Sequence, residues 1–127
     1  MHEQHLAILK GLVSVAWADG RVAEEELEVI EAFLQAFDAT PSEALELRMY
    51  AKTKRTLEDI PLTDLSFDDR RVLLQHAVLL TYIDGEQAES ERKLLEELAG
   101  RLGIPGPEAT GLLESAGARA KSVLDLL

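Results

Sequence analysis

Apolar residues recur at helical spacing along almost the whole chain. Leu6, Leu9, Val13 and Ala16 repeat every three or four positions, with Leu12 widening the stripe, and predict a first helix from about residue 2 to 18. Asp19-Gly20 breaks it, because glycine accepts a positive φ that other residues resist. A second helix is predicted from about Ala23 to Phe37, burying Leu27, Ile30, Phe33, Leu34 and Phe37. Its glutamates crowd the start, where the helix dipole favours anions.

Thr40-Pro41-Ser42-Glu43 is a strong helix start: a capping hydroxyl, a proline at the first helical position and a glutamate that closes a capping box. The helix it opens carries Leu45 and Met49 and is predicted to run to about Thr56. Residues 57–65 contain Pro61 and read as a loop with room for one helical turn. Ser66, with Asp69 three residues on, starts a long helix to about Ile83. Its Ala77-Val78-Leu79-Leu80 run is apolar on every side, which places that helix at the centre of the core. The following helix buries Leu94, Leu95, Leu98 and Leu102 and is capped by Gly103, with Pro105 beyond. Gly106-Pro107 opens the last helix, whose stripe runs from Ala109 through Leu112, Leu113, Ala116, Ala120, Val123 and Leu124 to Leu127. No strand-like alternation occurs. The pattern predicts an all-α bundle of about six to seven helices.

The pattern also repeats. Ala18-Asp19-Gly20-Arg21-Val22-Ala23-Glu24-Glu25-Glu26 has a counterpart 65 residues on, Ile83-Asp84-Gly85-Glu86-Gln87-Ala88-Glu89-Ser90-Glu91. The offset holds outside the turns: Leu9 matches Leu74, Val13 matches Val78, Trp17 matches Tyr82 and Glu31 matches Glu96. Two copies do not make a solenoid. They predict one domain over 1–127 in which helix–turn–helix units at about 6–38 and 71–103 are related by an approximate twofold axis.

Charge and composition narrow the chemistry. A formal net charge of -11 disfavours nucleic acid as a partner. The absence of cysteine removes disulfides, zinc–thiolate sites and thiol nucleophiles, and is compatible with a cytoplasmic location. Nothing at the amino terminus reads as a secretory signal, and no apolar run is long enough to span a bilayer. Arg48, Lys52, Lys54 and Arg55 form a basic block without an acid. On a helix extending to Thr56, Arg48, Lys52 and Arg55 would share one face, giving a positive patch able to meet an acidic protein or anionic lipid; the plainer alternative is solvated helix surface.

Asp-Gly-x-Val-x-x-x-Glu copies the second half of an EF-hand loop, in which the glycine makes the bend and a glutamate six residues later binds calcium. Asp19, Gly20, Val22 and Glu26 fit, as do Asp84, Gly85 and Glu91. The first half fails: the earlier ligand positions hold Val15 and Trp17, or Leu80 and Tyr82, which excludes an ordinary EF-hand. What remains is a carboxylate pair at each turn, Asp19 with Glu26 and Asp84 with Glu91. Oxygen-only ligands suit calcium, magnesium or manganese. The competing reading makes the same carboxylates helix caps.

The two Asp-Gly segments, the Leu-Ala-Gly-Arg-Leu-Gly-Ile stretch at 98–104 and the Gly-Pro-Glu helix start after it together resemble the TerB-like tellurite-resistance family, including the TerB-like domain found beside J-domain co-chaperones. The resemblance spans nearly the whole chain. It implies a compact helical domain linked to stress responses and membrane-associated complexes, with metal at acidic residues matching Asp19, Glu26, Asp84 and Glu91. Two departures stand out. Ala23 and Ala88 occupy positions where the family often has Ser or Thr, and Gln87 replaces an apolar residue, which weakens the second site.

His2 and His5 lie one helical turn apart without an obvious acidic third ligand, and His76 adjoins the most apolar run, where a buried histidine is expected. No nucleophile elbow or phosphate-binding glycine pattern occurs. Trp17 and Tyr82 read as core anchors. The resulting expectation is a non-enzymatic, stress-associated interaction module binding other proteins, with homo-oligomerisation open, and with a divalent cation at the acidic turns. The alternative is a plain helical adaptor without metal.

Overall fold

The computed structural model describes residues 3–18, 24–81 and 89–125. Six α-helices follow in order: α1 (Glu3–Ala18), α2 (Glu24–Ala36), α3 (Pro41–Ala51), α4 (Phe67–Thr81), α5 (Glu89–Arg101) and α6 (Gly106–Asp125). Two single 3₁₀ turns, Leu57–Asp59 and Leu62–Asp64, join α3 to α4. Among the described residues there is no strand, so the all-α expectation is met at the lower helix count.

Helices α1 and α4 form the centre. α1 buries Ala7, Ile8, Leu9, Leu12, Val13, Val15 and Ala16, more than one face of a helix, and packs on α2, α3, α4 and α5. α4 buries Leu73, Leu74, Ala77, Val78 and Leu80 and packs on α1, α5 and α6. Gly11 lies against α4, where a Cβ would stand 2.6 Å from Leu73 Cδ2. Among the residues whose burial is described, the outer helices contribute Ile30 and Leu34 from α2, Leu47 from α3, and Leu95 and Leu98 from α5, with Leu102 just beyond it.

Local chemistry sets the helix ends. Thr40 Oγ1 accepts from the Glu43 amide at 3.2 Å, and Glu43 Oε1 accepts from the Thr40 amide at 2.9 Å, completing the capping box before α3. Ser66 and Asp69 exchange the same two bonds before α4, each 3.1 Å. A third such box, Thr56 with Asp59, opens the first 3₁₀ turn.

The 65-residue register appears again at the helix ends. α2 and α5 are both thirteen residues long. After α2, the amides of Asp38 and Ala39 donate to the carbonyls of Gln35 and Leu34; after α5, those of Gly103 and Ile104 donate to Gly100 and Ala99. Asp38 (φ 60) and Gly103 (φ 74) both take the left-handed conformation of a Schellman cap. The next helices then start in register, with Ala44 N–H donating to Thr40 O and Ala109 N–H to Pro105 O. Aspartate at a left-handed position is strained where glycine is not. Asp38→Gly should therefore raise stability by about 0.5–1 kcal/mol, measured by urea denaturation; a loss would show that the Asp38 side chain holds the turn.

Two sequence expectations need correction. α3 stops at Ala51, not near Thr56. The carbonyls that would continue the ladder are taken from outside: Arg55 Nε donates to Tyr50 O at 3.1 Å and Trp17 Nε1 to Ala51 O at 2.8 Å. Leu27, assigned to the buried stripe of α2, is 41% exposed. Ile30 and Leu34 fill the core beneath that helix, while Phe33 and Phe37 lie at its margin. There Phe37 stacks on His5 of α1, with ring centroids 4.3 Å apart, and Phe33 on His76 of α4, at 4.5 Å. Burial holds the His76 imidazole below its ordinary pKa, favouring the neutral ring that the apolar run demands.

Candidate functional site

Asp19 and Asp84, the first ligands of the two predicted metal pairs, lie outside the described residues. Their partners are placed. Glu26 and Glu91 are each the third residue of a helix, α2 and α5, and each is half-buried in the first turn, where the unsatisfied amides and the dipole favour a carboxylate. Among the described residues, no group of three or more His, Asp or Glu side chains is arranged to hold a metal ion. His2 is likewise outside the described residues, and His5 faces the Phe37 ring.

The basic block does not form one helical face. Arg48 is on α3 and is turned onto Glu31 of α2, with Nε to Oε1 2.6 Å and Nη2 to Oε2 2.8 Å. This two-bond fork holds the Glu31 carboxyl below its ordinary pKa. Lys52 is the C-terminal cap residue of α3. Arg55 lies beyond the helix and folds back, its guanidinium carbon 3.7 Å from the Tyr50 ring centroid. Lys52 and Lys54 are the members of the block that stay exposed without an ion pair among the described residues.

The structure brings forward a feature that pattern reading missed. Leu45 and Met49, one helical turn apart on α3, are 57% and 59% exposed. The helix buries Ala44, Leu47 and Ala51 instead. Leu45, Met49 and Lys52, at spacings of four and three, therefore line an outer stripe with an apolar middle and a basic end. The signal was in the sequence: two apolar lines on one short helix, of which only one can face the core.

A second feature lies where α5 meets α6. A cleft of ≈ 310 Å³ separates α5 from α6, with Ala99, Ile104, Ala109 and Leu113 along it and Arg92 and Glu96 at its rim. That volume is at the small end of ligand-binding pockets. Arg92 Nε and Glu96 Oε1 are 4.0 Å apart, the outer limit of an ion pair, and both side chains are well exposed.

Trp17, considered above as an anchor, is one: its ring is half-buried and its N–H is spent on α3. Tyr82 lies outside the described residues. No helix among the described residues is long and apolar enough to cross a membrane. Compared with protein-family models, with curated proteins and with solved structures, the chain matches none.

Proposed function

We propose that this chain is a non-enzymatic helical adaptor that presents the outer stripe of α3 to a protein partner. The observation behind the reading is the exposed Leu45–Met49 pair beside Lys52. Burying one such side chain against a partner gains about 1.5–3 kcal/mol. In this reading the acidic residues at the Asp-Gly turns are helix caps, and the 65-residue register reflects two hairpins related by an approximate twofold axis.

The test is capture from the source cell with wild type and with the double variant Leu45→Glu/Met49→Glu. Both positions are exposed, so the variant should unfold within about 0.5 kcal/mol of wild type. It should lose the captured partners at least about tenfold, the equivalent of 1.4 kcal/mol. Identical capture by the two proteins would remove α3 from the interface.

The competing reading, a stress-associated module with a divalent cation bridging Asp19 and Glu26, draws on the Asp-Gly turn pattern and on the resemblance to the TerB-like family. Two carboxylates would bind in the range of about 0.1–1 mM. At a hundredfold excess of calcium, magnesium or manganese, such a site would add about 2.7 kcal/mol to wild-type stability, and Glu26→Gln would abolish the gain. A wild-type melt unmoved by any of the three ions, with Glu26→Gln melting lower, would leave the carboxylates as caps.

A further inference from the structure

The 65-residue register makes the α2–α3 pair a template for the α5–α6 pair. Around α2 and α3, Leu34 is buried, Gln35, Pro41 and Leu45 are exposed, and Arg48 reaches across to Glu31. Their counterparts between α5 and α6 are Ala99, Gly100, Gly106, Thr110 and Leu113, while Glu31 is matched by Glu96. Four of these positions lose volume. The fifth, Leu113, loses the guanidinium. The carboxylate is kept.

The consequence is geometric. A Cβ built on Gly100 or Gly106 would meet nothing within 4 Å, and a cleft of ≈ 310 Å³ lies beside them, lined also by Glu96, Ala99, Thr110 and Leu113. Glu96 sits on its rim, 61% exposed, with Arg92 of the same helix as a distant neighbour at 4.0 Å. The α5–α6 pair thus retains an acceptor for a guanidinium and room for its stem, with Leu113 at the position that Arg48 holds in the α2–α3 pair.

We infer that the α5–α6 cleft binds an arginine side chain of a partner protein, its guanidinium on Glu96 and its methylenes along Ala99, Ala109 and Leu113. The assignment rests on the interaction-module reading and adds a second contact on a different face. Arginine is favoured over lysine because the template pair uses both Nε and Nη2 against both carboxylate oxygens, a fork that an ammonium cannot reproduce. A net charge of -11 draws a basic partner toward the molecule and opposes a second copy of this chain as the occupant.

The probe is the blocked tripeptide acetyl-Leu-Arg-Met-amide, which copies the residues around Arg48, titrated into the full ¹⁵N-labelled chain. Saturable shifts are expected at the Gly100, Gly106 and Thr110 amides. The same peptide with neutral citrulline in place of arginine should bind about tenfold more weakly or worse, as should the arginine peptide to Glu96→Gln, because a hydrogen bond to a charged group is lost in each case. Leu113→Arg, which supplies the guanidinium from within, should abolish binding. Thr110→Leu, at an exposed position, is a second way to close the cleft if Leu113→Arg does not fold. Absence of shifts in wild type, equal binding by Glu96→Gln, or shifts confined to another face would overturn the assignment. Self-association of wild type that Glu96→Gln abolishes would overturn the separate partner in favour of a second copy. The Leu45→Glu/Met49→Glu protein should bind the peptide as wild type does, so a failed cleft with intact partner capture on α3 would sink this inference alone.

Discussion

Replacing Arg70 by Met should destabilise the protein by about 2–4 kcal/mol: two charge-assisted hydrogen bonds of about 1.5–3 kcal/mol each are lost, and part of that sum is returned because a buried Nε without a partner among the described residues goes with them. Arg70 is in the first turns of α4, and its fork spans two other segments. Nη1 donates to Leu102 O, beyond the end of α5, at 3.0 Å, and Nη2 donates to Leu62 O in the second 3₁₀ turn at 2.9 Å. Both acceptors lie where the chain changes direction. Leu102 precedes Gly103, whose left-handed turn leaves carbonyls without helical donors. A cation there also opposes the negative end of the α5 dipole. Methionine keeps the length and apolar stem of the side chain but supplies no donor, and it also gives up the guanidinium's place 5.4 Å from the Phe67 ring centroid. Arg70→Lys should recover part of it, since an ammonium can reach one carbonyl but cannot fork to both. Urea denaturation of the three proteins measures the effect. A Met variant within 0.5 kcal/mol of wild type would mean that water replaces the guanidinium at both carbonyls.

Gly11→Val should cost about 3 kcal/mol, the upper end of ordinary overpacking. Glycine in mid-helix is worse than alanine by about 1 kcal/mol, so propensity alone argues for replacing it. Packing argues the other way. The new Cβ would stand 2.6 Å from Leu73 Cδ2 and 3.0 Å from Cδ1. A leucine tip on the surface could swing away, but Leu73 is 0% exposed and its surroundings are α1, α4 and their neighbours. Gly11→Ala should show a smaller loss, about 1 kcal/mol, because the propensity gain offsets part of the clash. Coupling provides the check. Combining Gly11→Ala with Leu73→Val should restore room, and the pair should lose at least about 1 kcal/mol less than the sum of the single changes. Strict additivity would place the cost of Gly11→Ala somewhere other than the α1–α4 contact.

The outline of this fold was legible because its signals are local. The Thr40-Pro41-Ser42-Glu43 start and the Ser66–Asp69 pair act within four residues, and both form as the sequence predicts. Gly103 caps α5 for the same reason. The misses share the opposite property. α3 ends early because Trp17, 34 residues away in sequence, takes the Ala51 carbonyl, and no pattern within the helix reports that. Asp38 adopts the left-handed cap without being glycine, so its turn was invisible until it was set beside Gly103 in the 65-residue register. Leu27 and Leu45 illustrate the limit of apolar periodicity: it finds stripes but does not decide which of two stripes the tertiary structure covers. The basic block failed as a helical face for a related reason. Arg48 was drawn to Glu31 on another helix, and Arg55 was placed by a turn rather than by α-helical spacing.

The chain contains one tryptophan, and its indole N–H bridges α1 to the last residue of α3 at 2.8 Å. Indole emission therefore reports a single joint in the molecule, while circular dichroism averages over all six helices. A partner that levers α3 away from α1 would leave the helical signal intact and change the colour of Trp17. The fold thus carries its own optical gauge at the base of the helix that presents Leu45 and Met49.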